Sequence, residues 1–581
     1  MQHLPAPHLA LATAAVAAPV LIAFNVAPSA TFINQAAALV GWGAWAMLLA
    51  MALPSAAPPS NTAPDRGAAA LLLALLLIAA SAFAAPLWTG LPWTLALSAI
   101  GVIGAAMLVA ALAVALQRAG LGEAAFASFC FALLAAGVLA ALVGFVQVYA
   151  PAWADGQWIA AGTLGARAVG NLRQPNHQSS LLLWAMIATV WLGGSGRLSR
   201  VALPALLLAL LAGVVLTASR TGMVGAALLT LWGLADRRLT RRVRLQLVLV
   251  PLVYFFWYEL FAALAHQGGT TFAGEAQMHK ADPSSSRFGI WANTLTLIAA
   301  HPWAGVGFGG FNFAWSLHVF PGRPVAFFDH THNLPLQLAV ELGLPLAALV
   351  LALLLYALWR ALRLAREGEA GDIAARRAAL AMVVMIALHS QLEYPLWYAY
   401  FLLPAAFAFG IALGGPAPAG ASRRSRAAGA RPPLWLPAAL ALLLGGAASL
   451  ADYRRVAVIF SPASATPLAQ RIEEGRQSWF FGHHADYAAA TVAAHPSDEM
   501  AALARATHYL LDTRITVAWA KALAERGEVD KARHLAARLR EFRNPLSAEF
   551  FAVCDEPAGE GAPKPFQCEA PRRGYDYVDF R

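Results

Sequence analysis

"WTLALSAIGVIGAAMLVAALAVAL", residues 93–116, contains no charged side chain and no proline. As a helix it is long enough to cross the hydrocarbon core of a bilayer, which takes about 20 apolar residues. Comparable runs recur near 9–27, 33–53, 68–88, 124–149, 179–194, 201–218, 222–235, 246–264, 335–359, 378–391, 396–414 and 434–451. Of the 581 residues, 59% are hydrophobic and only 12% are charged. A soluble domain could not bury that much apolar surface, whereas a bilayer accepts it. The expected fold is an all-α polytopic membrane protein with about thirteen transmembrane helices. The first run has no basic segment before it and continues into further membrane, so it reads as a span and not as a cleaved signal.

Orientation follows from the basic residues between the runs. "SGRLSR" (195–200), "DRRLTRRVR" (236–244), "RALRLAREGEAGDIAARR" (360–377) and "SRRSRAAGAR" (422–431) fall on one side if the spans alternate, and Arg66 and Arg118 join them. About eighteen basic residues then face the cytoplasm, with the N-terminus, as the positive-inside tendency requires. Most of the net charge of +10 is of this kind, which gives no reason to expect nucleic-acid binding. The opposite face holds a loop at 150–178, a short turn at 219–222, a long loop at 265–334, a hairpin at 390–395 and the tail. The expected domains are therefore 1–451 in the membrane, with the loop 265–334, and a soluble helical domain at 452–581. Within the tail, "AWAKALAERGEVDKARHLAARLREF" (518–542) reads as two amphipathic helices about a glycine turn, similar to one tetratricopeptide-like unit. Cys554 and Cys568 flank a Pro/Gly-rich stretch in an oxidising compartment and are expected to pair, while Cys130 lies inside a span.

Polar groups at membrane depth are costly unless they are satisfied or face a cavity, so the exceptions stand out. "GNLRQPNHQSS" (170–180) sets Arg173, Gln174, Asn176 and His177 just before a span; the plain alternative is an ordinary loop and helix start. "TASRTG" (217–222) leaves Arg220 on the outer face, either snorkelling to headgroups or holding an anion. Arg287 begins an amphipathic segment in "SSSRFGIWANTL" (284–295). "GVGFGGF" (305–311) lacks the Lys-Ser/Thr of a phosphate loop and reads as tight turns. "HSQLEYPLWYAYFL" (389–402) places Glu393 and Tyr394 at a hairpin tip ahead of interfacial aromatics. In "FFDHTHNLPLQLAVELGLP" (327–345), Asp329, His330, His332 and Asn333 precede an apolar helix, with Asn333 as its expected N-cap and Pro335 in its first turn. The His-x-His spacing with one carboxylate is a poor match to a zinc site, and no metal or other cofactor is expected.

"HTHNLPLQLAVELG" resembles the signature of the O-antigen ligase/polymerase (Wzy-C) superfamily, in which His followed by Asn, Ser or Gln is separated by nine residues from Gly. His332, Asn333 and Gly343 meet that spacing, while Leu346 stands where the lipopolysaccharide ligases have a further Gly. "NLRQPNHQSS" and "LEYPLWYAYFLLPAAFAFG" are similar to the protein O-oligosaccharyltransferase branch of the PglL type, which also carries a soluble periplasmic tail. The resemblance implies an inner-membrane glycosyltransferase, independent of metal, with a periplasmic active site. Its donor would be an oligosaccharide on undecaprenyl pyrophosphate, and its acceptor a Ser or Thr hydroxyl on an exported protein such as a pilin. It also implies His332 as the essential histidine, Arg220 and Arg287 near the donor pyrophosphate, and Gln174 and Tyr394 as polar substrate-binding residues. Asn333 and Glu393 complete the candidate set.

The chemistry is consistent with those residue types. A neutral imidazole can take the proton of a weakly nucleophilic hydroxyl, and arginines with a helix N-terminus can stabilise a departing pyrophosphate. An O-antigen ligase acting on lipid A-core would share the donor and differ in its acceptor. A transporter for the lipid-linked sugar would instead place charged residues along a pathway within the spans.

Overall fold

The computed structural model describes residues 6–53, 65–162, 166–279, 286–367, 370–415, 435–556 and 564–581. The basic connection at 422–431 and most of the stretch between Cys554 and Cys568 lie outside them. The described residues are helical, joined by turns, with a lone bridge between Val26 and Ser29.

Among the described residues, six helices are long and apolar enough to cross a membrane: Phe32–Ala52, Arg66–Leu87, Trp93–Arg118, Gly122–Tyr149, Leu344–Leu364 and Trp435–Phe460. A seventh span arises if Arg241–Val248 and Val250–Gln267 are counted together. These two meet at a 43° bend, where Pro251 opens the second helix and removes a backbone donor. Shorter apolar helices run at Ala6–Leu21, Ala202–Leu216 and Ala399–Leu413. Large apolar side chains along these helices face outward, among them Leu76, Phe83, Leu142, Phe255, Phe256 and Leu355, which a bilayer would cover and water would not. The chain is a membrane protein.

The chain forms two compact units. The first comprises 1–74, 104–283 and 353–448. At its centre, Pro175–Gly194 is buried along nearly its whole length; after a polar first stretch to Ser180 it is apolar on all sides save for Thr189, and not striped. Trp42, Trp45, Phe129 and Phe407 form a tilted aromatic cluster with ring centroids 4.9–6.2 Å apart. Helices close to backbone contact at small residues: a Cβ on Gly410 would lie 2.3 Å from the Ala110 carbonyl oxygen. Ion pairs link the segments that join these helices: Arg197 to Glu123 at 3.1 Å, Arg360 to Asp65 at 3.2 Å, and Arg377 Nε to Asp236 at 2.7 Å.

The second unit comprises 75–103, 284–352 and 449–581. Sequence places the loop 265–334 and the tail 452–581 in separate domains; in the structure the loop from residue 284 and the tail share one core. Ile290, Leu297, Val306, Phe311, Trp315 and Val340 pack in one cluster with Leu503, Leu511, Ile515, Leu535, Leu539, Phe542 and Tyr577. The short helices Arg287–Ala300, Phe311–Leu317 and Leu334–Leu342 each offer too little apolar surface to stand alone, and the tail covers them. Arg323 pins the two segments: it donates to the Trp315 carbonyl, pairs with Glu541 at 2.8 Å and stacks 4.8 Å from the Phe542 ring centre. The tail pair Thr513–Glu525 and Val529–Phe542 turns at Gly527, and Cys554 is joined to Cys568 with Cα atoms 5.4 Å apart.

The apolar run 335–359, expected as one span, is two helices. Leu334–Leu342 ends at Gly343, and the membrane helix Leu344–Leu364 begins after it. Gly343 has φ +76° and ψ 161°, a region closed to side-chain-bearing residues, and a Cβ there would sit 2.2 Å from the Trp303 carbonyl oxygen. The glycine-rich loop packs against this joint: Val306 N–H donates to Val340 O at 2.8 Å, Gly307 N–H to Glu341 O at 3.0 Å, and Leu344 N–H to Pro302 O at 2.7 Å. Gly343→Ala is therefore expected to cost at least about 2 kcal/mol, from backbone strain together with the clash. The reading is thermal unfolding of the purified protein in detergent, and a wild-type midpoint would refute it.

Candidate functional site

Three of the polar motifs turn out to be built alike. Gln174, Ser219 and Asn333 are each the N-cap of a helix, accepting the N–H of His177 at 2.8 Å, Gly222 at 3.0 Å and Leu336 at 3.0 Å. In each case the preceding residue is left-handed: Arg173 at φ 56°, Ala218 at φ 48° and His332 at φ 55°. Such values are uncommon for residues other than glycine. A fourth helix, Arg287–Ala300, starts from Ser286 at φ 66°. The reversal turns the chain sharply into the helix, so the side chain at or beside the cap stands at the helix's positive end.

In the first unit, Asn176 joins three segments that are distant in sequence. Its side-chain Oδ1 accepts the Ser219 hydroxyl at 2.6 Å, and its side-chain NH2 donates to Glu393 Oε1 at 3.0 Å. The Ser179 hydroxyl lies 3.2 Å from that of Ser219, and Ser180 shares a hydrogen bond of 2.8 Å with His389 Nδ1. The His177 ring stands edge-on to Tyr398 at 4.8 Å, and Tyr398 stacks on Tyr394 at 6.1 Å and on Tyr400 at 5.2 Å. The motifs carrying Gln174, Arg220, Glu393 and Tyr394 thus meet in one buried polar network. Arg220 is the first residue of its helix, directly after the Ser219 cap. Arg167, which sequence did not single out, donates to the carbonyls of Thr217 at 2.9 Å and Ala218 at 3.2 Å and so fixes the turn before Arg220. Burial, and secondly the like charge of Arg220, lower its guanidinium to about 10.

In the second unit, His332 sits between two anchored neighbours. Thr331 is fully buried; its N–H donates to Gln337 Oε1 at 2.8 Å, and its carbonyl accepts from Trp291 Nε1 at 3.0 Å. Its hydroxyl donates to Asn333 O at 2.8 Å. The His332 ring lies edge-on to Phe328 at 5.8 Å. Asp329 sits 3.0 Å from His330 Nδ1. Burial would raise the Asp329 carboxyl, but the His330 imidazole, the backbone amide of Asp329 and His332 together outweigh it and hold the group below the ordinary carboxylate range. Arg287 opens the helix that carries Trp291. Sequence reasoning also missed Glu341, read as part of a membrane span. It lies before the break at Gly343, its carboxylate buried near the Gly309 and Phe311 amides and the Gln337 side chain. Burial raises that carboxyl to about 7 against the pull of these donors. Among the described residues no group of three or more His, Cys, Asp or Glu side chains is placed to hold a metal ion.

The Asn176 junction gives a direct test. Asn176→Ala removes the partner of both Ser219 and Glu393 within it and is expected to cost about 1–3 kcal/mol, the penalty of disturbing a buried hydrogen-bonded group. Asn176→Asp faces Glu393 with a second carboxylate and should lower the unfolding midpoint further. Equal midpoints for both variants and the wild type would show that the junction carries no stability.

Comparison with known proteins agrees with these motifs. Residues 205–351 match the family described as O-Antigen ligase, 377–548 match "Virulence factor membrane-bound polymerase, C-terminal", and 168–192 match "Protein glycosylation ligase". A general O-oligosaccharyltransferase of Acinetobacter baylyi is 27% identical over 253 residues, 42% of this chain and 43% of the relative. A ComP-specific O-oligosaccharyltransferase of the same organism is 26% identical over 259 residues, 43% of this chain and 44% of the relative. The alignments thus span less than half the length of these relatives. With its three matched segments and its His332-Asn333…Gly343 motif, the chain is similar to the O-antigen ligase superfamily and, within it, to protein O-oligosaccharyltransferases of the PglL type.

Proposed function

We propose that the chain transfers an oligosaccharide en bloc from undecaprenyl pyrophosphate to Ser or Thr hydroxyls of exported proteins such as pilins. The site and the tail domain lie on the periplasmic face of the bacterial inner membrane, and the N-terminus is cytoplasmic. The observation that carries this reading is the placement of His332: directly before the N-cap of Leu334–Leu342, a helix that leads through Gly343 into the membrane helix Leu344–Leu364. That position is suited to a lipid-borne donor and a water-borne acceptor.

In this reading the His332 imidazole removes the acceptor hydroxyl's proton as its oxygen attacks C1 of the sugar. The C1–O bond to pyrophosphate breaks, and the electron pair leaves with the lipid pyrophosphate. Arg220 and Arg287 have the role of offsetting the charge that grows on that leaving group, each from the first residue of a helix. Gln174, Asn333, Glu393 and Tyr394 have the role of shaping the substrate sites.

The test is reconstitution with a lipid-linked oligosaccharide and a pilin-type acceptor, read by the mass shift of the acceptor. His332→Ala should abolish the shift while the protein still reaches the membrane. Arg220→Lys and Arg287→Lys, which keep charge but lose the planar fork, should each lower the rate by about tenfold or more. A wild-type rate in His332→Ala would sink the catalytic assignment. The match to the O-Antigen ligase family favours one second reading, in which the acceptor is lipid A-core; transfer to that lipid alone would establish it.

A further inference from the structure

Where Arg220–Ala235 ends, three elements of the first unit line a cavity of about 420 Å3: that helix, the last turn of Leu344–Leu364 with the residues after it, and Ala370–His389. Most of its lining is apolar, Leu229, Leu380 and Met385 included. The polar exceptions are Asp236, Arg366 and Arg377, with the indole of Trp232. Asp236 and Arg366 come after the ends of their helices, and Arg377 precedes Leu380 and Met385 on the third. The cavity is therefore graded, charged at one end and hydrocarbon along the rest.

The charged end is held by a hydrogen-bonded frame. Asp236 is buried, and its carboxylate accepts Arg377 Nε at 2.7 Å, the Trp232 indole N–H at 3.1 Å and the Arg238 backbone N–H at 3.0 Å. Arg377 and Asp236 thereby cancel. The buried Arg376 donates to the Glu367 carbonyl at 2.6 Å and fixes the turn bearing Arg366, while the Arg238 guanidinium donates to the Arg366 carbonyl at 3.4 Å. Arg366 and Arg238 are exposed, and among the described residues neither guanidinium has a carboxylate at ion-pair distance. With Arg237 beside them against Glu367, the rim is net positive.

The helices that form the sides also turn Leu231, Leu234 and Leu362 outward, a surface that a bilayer covers. A helix from a partner protein is about 10–12 Å across, so this volume would take roughly one turn of it. An acyl chain, one methylene thick, can lie along the whole trough. The Trp232 indole suits headgroup depth, and guanidinium forks suit a phosphate.

We propose that this cavity binds one anionic glycerophospholipid of the surrounding membrane, with an acyl chain along the apolar trough and the phosphate between Arg366 and Arg238. The site is distinct from the one proposed for the oligosaccharide donor. It lies at the opposite end of a 16-residue helix from Arg220, about 24 Å away. The inference does not depend on the role of His332.

The experiment uses the full chain, purified in detergent and stripped of lipid. It is titrated with phosphatidylglycerol and with phosphatidylcholine of the same acyl chains, and the first bound lipid is followed by native mass spectrometry. Phosphatidylglycerol should bind about tenfold or more tightly than phosphatidylcholine, since each basic group near an anionic headgroup adds to the attraction. In the double variant Arg238→Gln, Arg366→Gln the two lipids should bind within about twofold of each other. Glycerol 3-phosphate, which has the charge and no chain, should leave the bound lipid in place. Equal affinities in the wild type, or a preference unchanged in the double variant, would show general annular lipid only and overturn the proposal. Displacement by glycerol 3-phosphate at the concentration of the lipid would overturn it in favour of a plain phosphate site. Should the double variant fail to accumulate, Arg366→Gln alone decides: a preference reduced by about threefold supports the site, and an unchanged one overturns it. Failure of both variants to accumulate overturns it in favour of a purely structural role for the rim.

Discussion

A helix cannot begin without leaving N–H groups that need acceptors, and near a bilayer water is a poor source of them. That constraint organises both units. At Gln174, Ser219 and Asn333 the need is met by a side chain reaching forward to the third amide, after a left-handed residue has turned the chain into place. The residues with candidate chemistry stand next to these caps: His177 after one, Arg220 after the second, His332 before the third. Local strain at a functional motif is sustained by the hydrogen bonds around it. At Ala218 the support is Arg167, and at His332 it is the clamp on Thr331.

Much of the architecture was legible because it obeys short-range rules. Apolar runs of bilayer length mark membrane helices, and Asn333 with Pro335 marks a helix start. The glycines at 305–311, lacking a Lys-Ser/Thr, were readable as turns and not as a phosphate cradle; they pack on the end of Leu334–Leu342. What sequence hid is what depends on partners far along the chain. Arg167 finds the carbonyls of Thr217 and Ala218 about fifty positions later, and no periodicity points to that pairing. Glu341 lies in an apolar helical pattern that continues unbroken past Gly343, so one glycine at φ +76° was enough to disguise a break as a span. The bond from Asn176 to Glu393 likewise crosses 217 positions.

The candidate site shows the same division. The types and neighbours of His332, Arg220, Gln174 and Tyr394 could be read directly, because cap, proline and aromatic belt are local signals. The hydrogen bonds around those residues could not, because they are made by Asn176 and Gln337, which look like ordinary helix residues until their partners are known. Buried polar networks behave in this way: the members that hold others in place carry no chemical signature of their own.

The shared core of the loop and the tail has a consequence for biogenesis. The segment bearing His332 packs in one cluster with Leu511, Ile515, Leu535, Phe542 and Tyr577, residues that the ribosome adds long after it. While the membrane helices are being inserted, that segment still lacks the core it will pack into. The histidine therefore acquires its final setting only after the tail has been made. Completion of that core is thereby timed by the order of the chain itself.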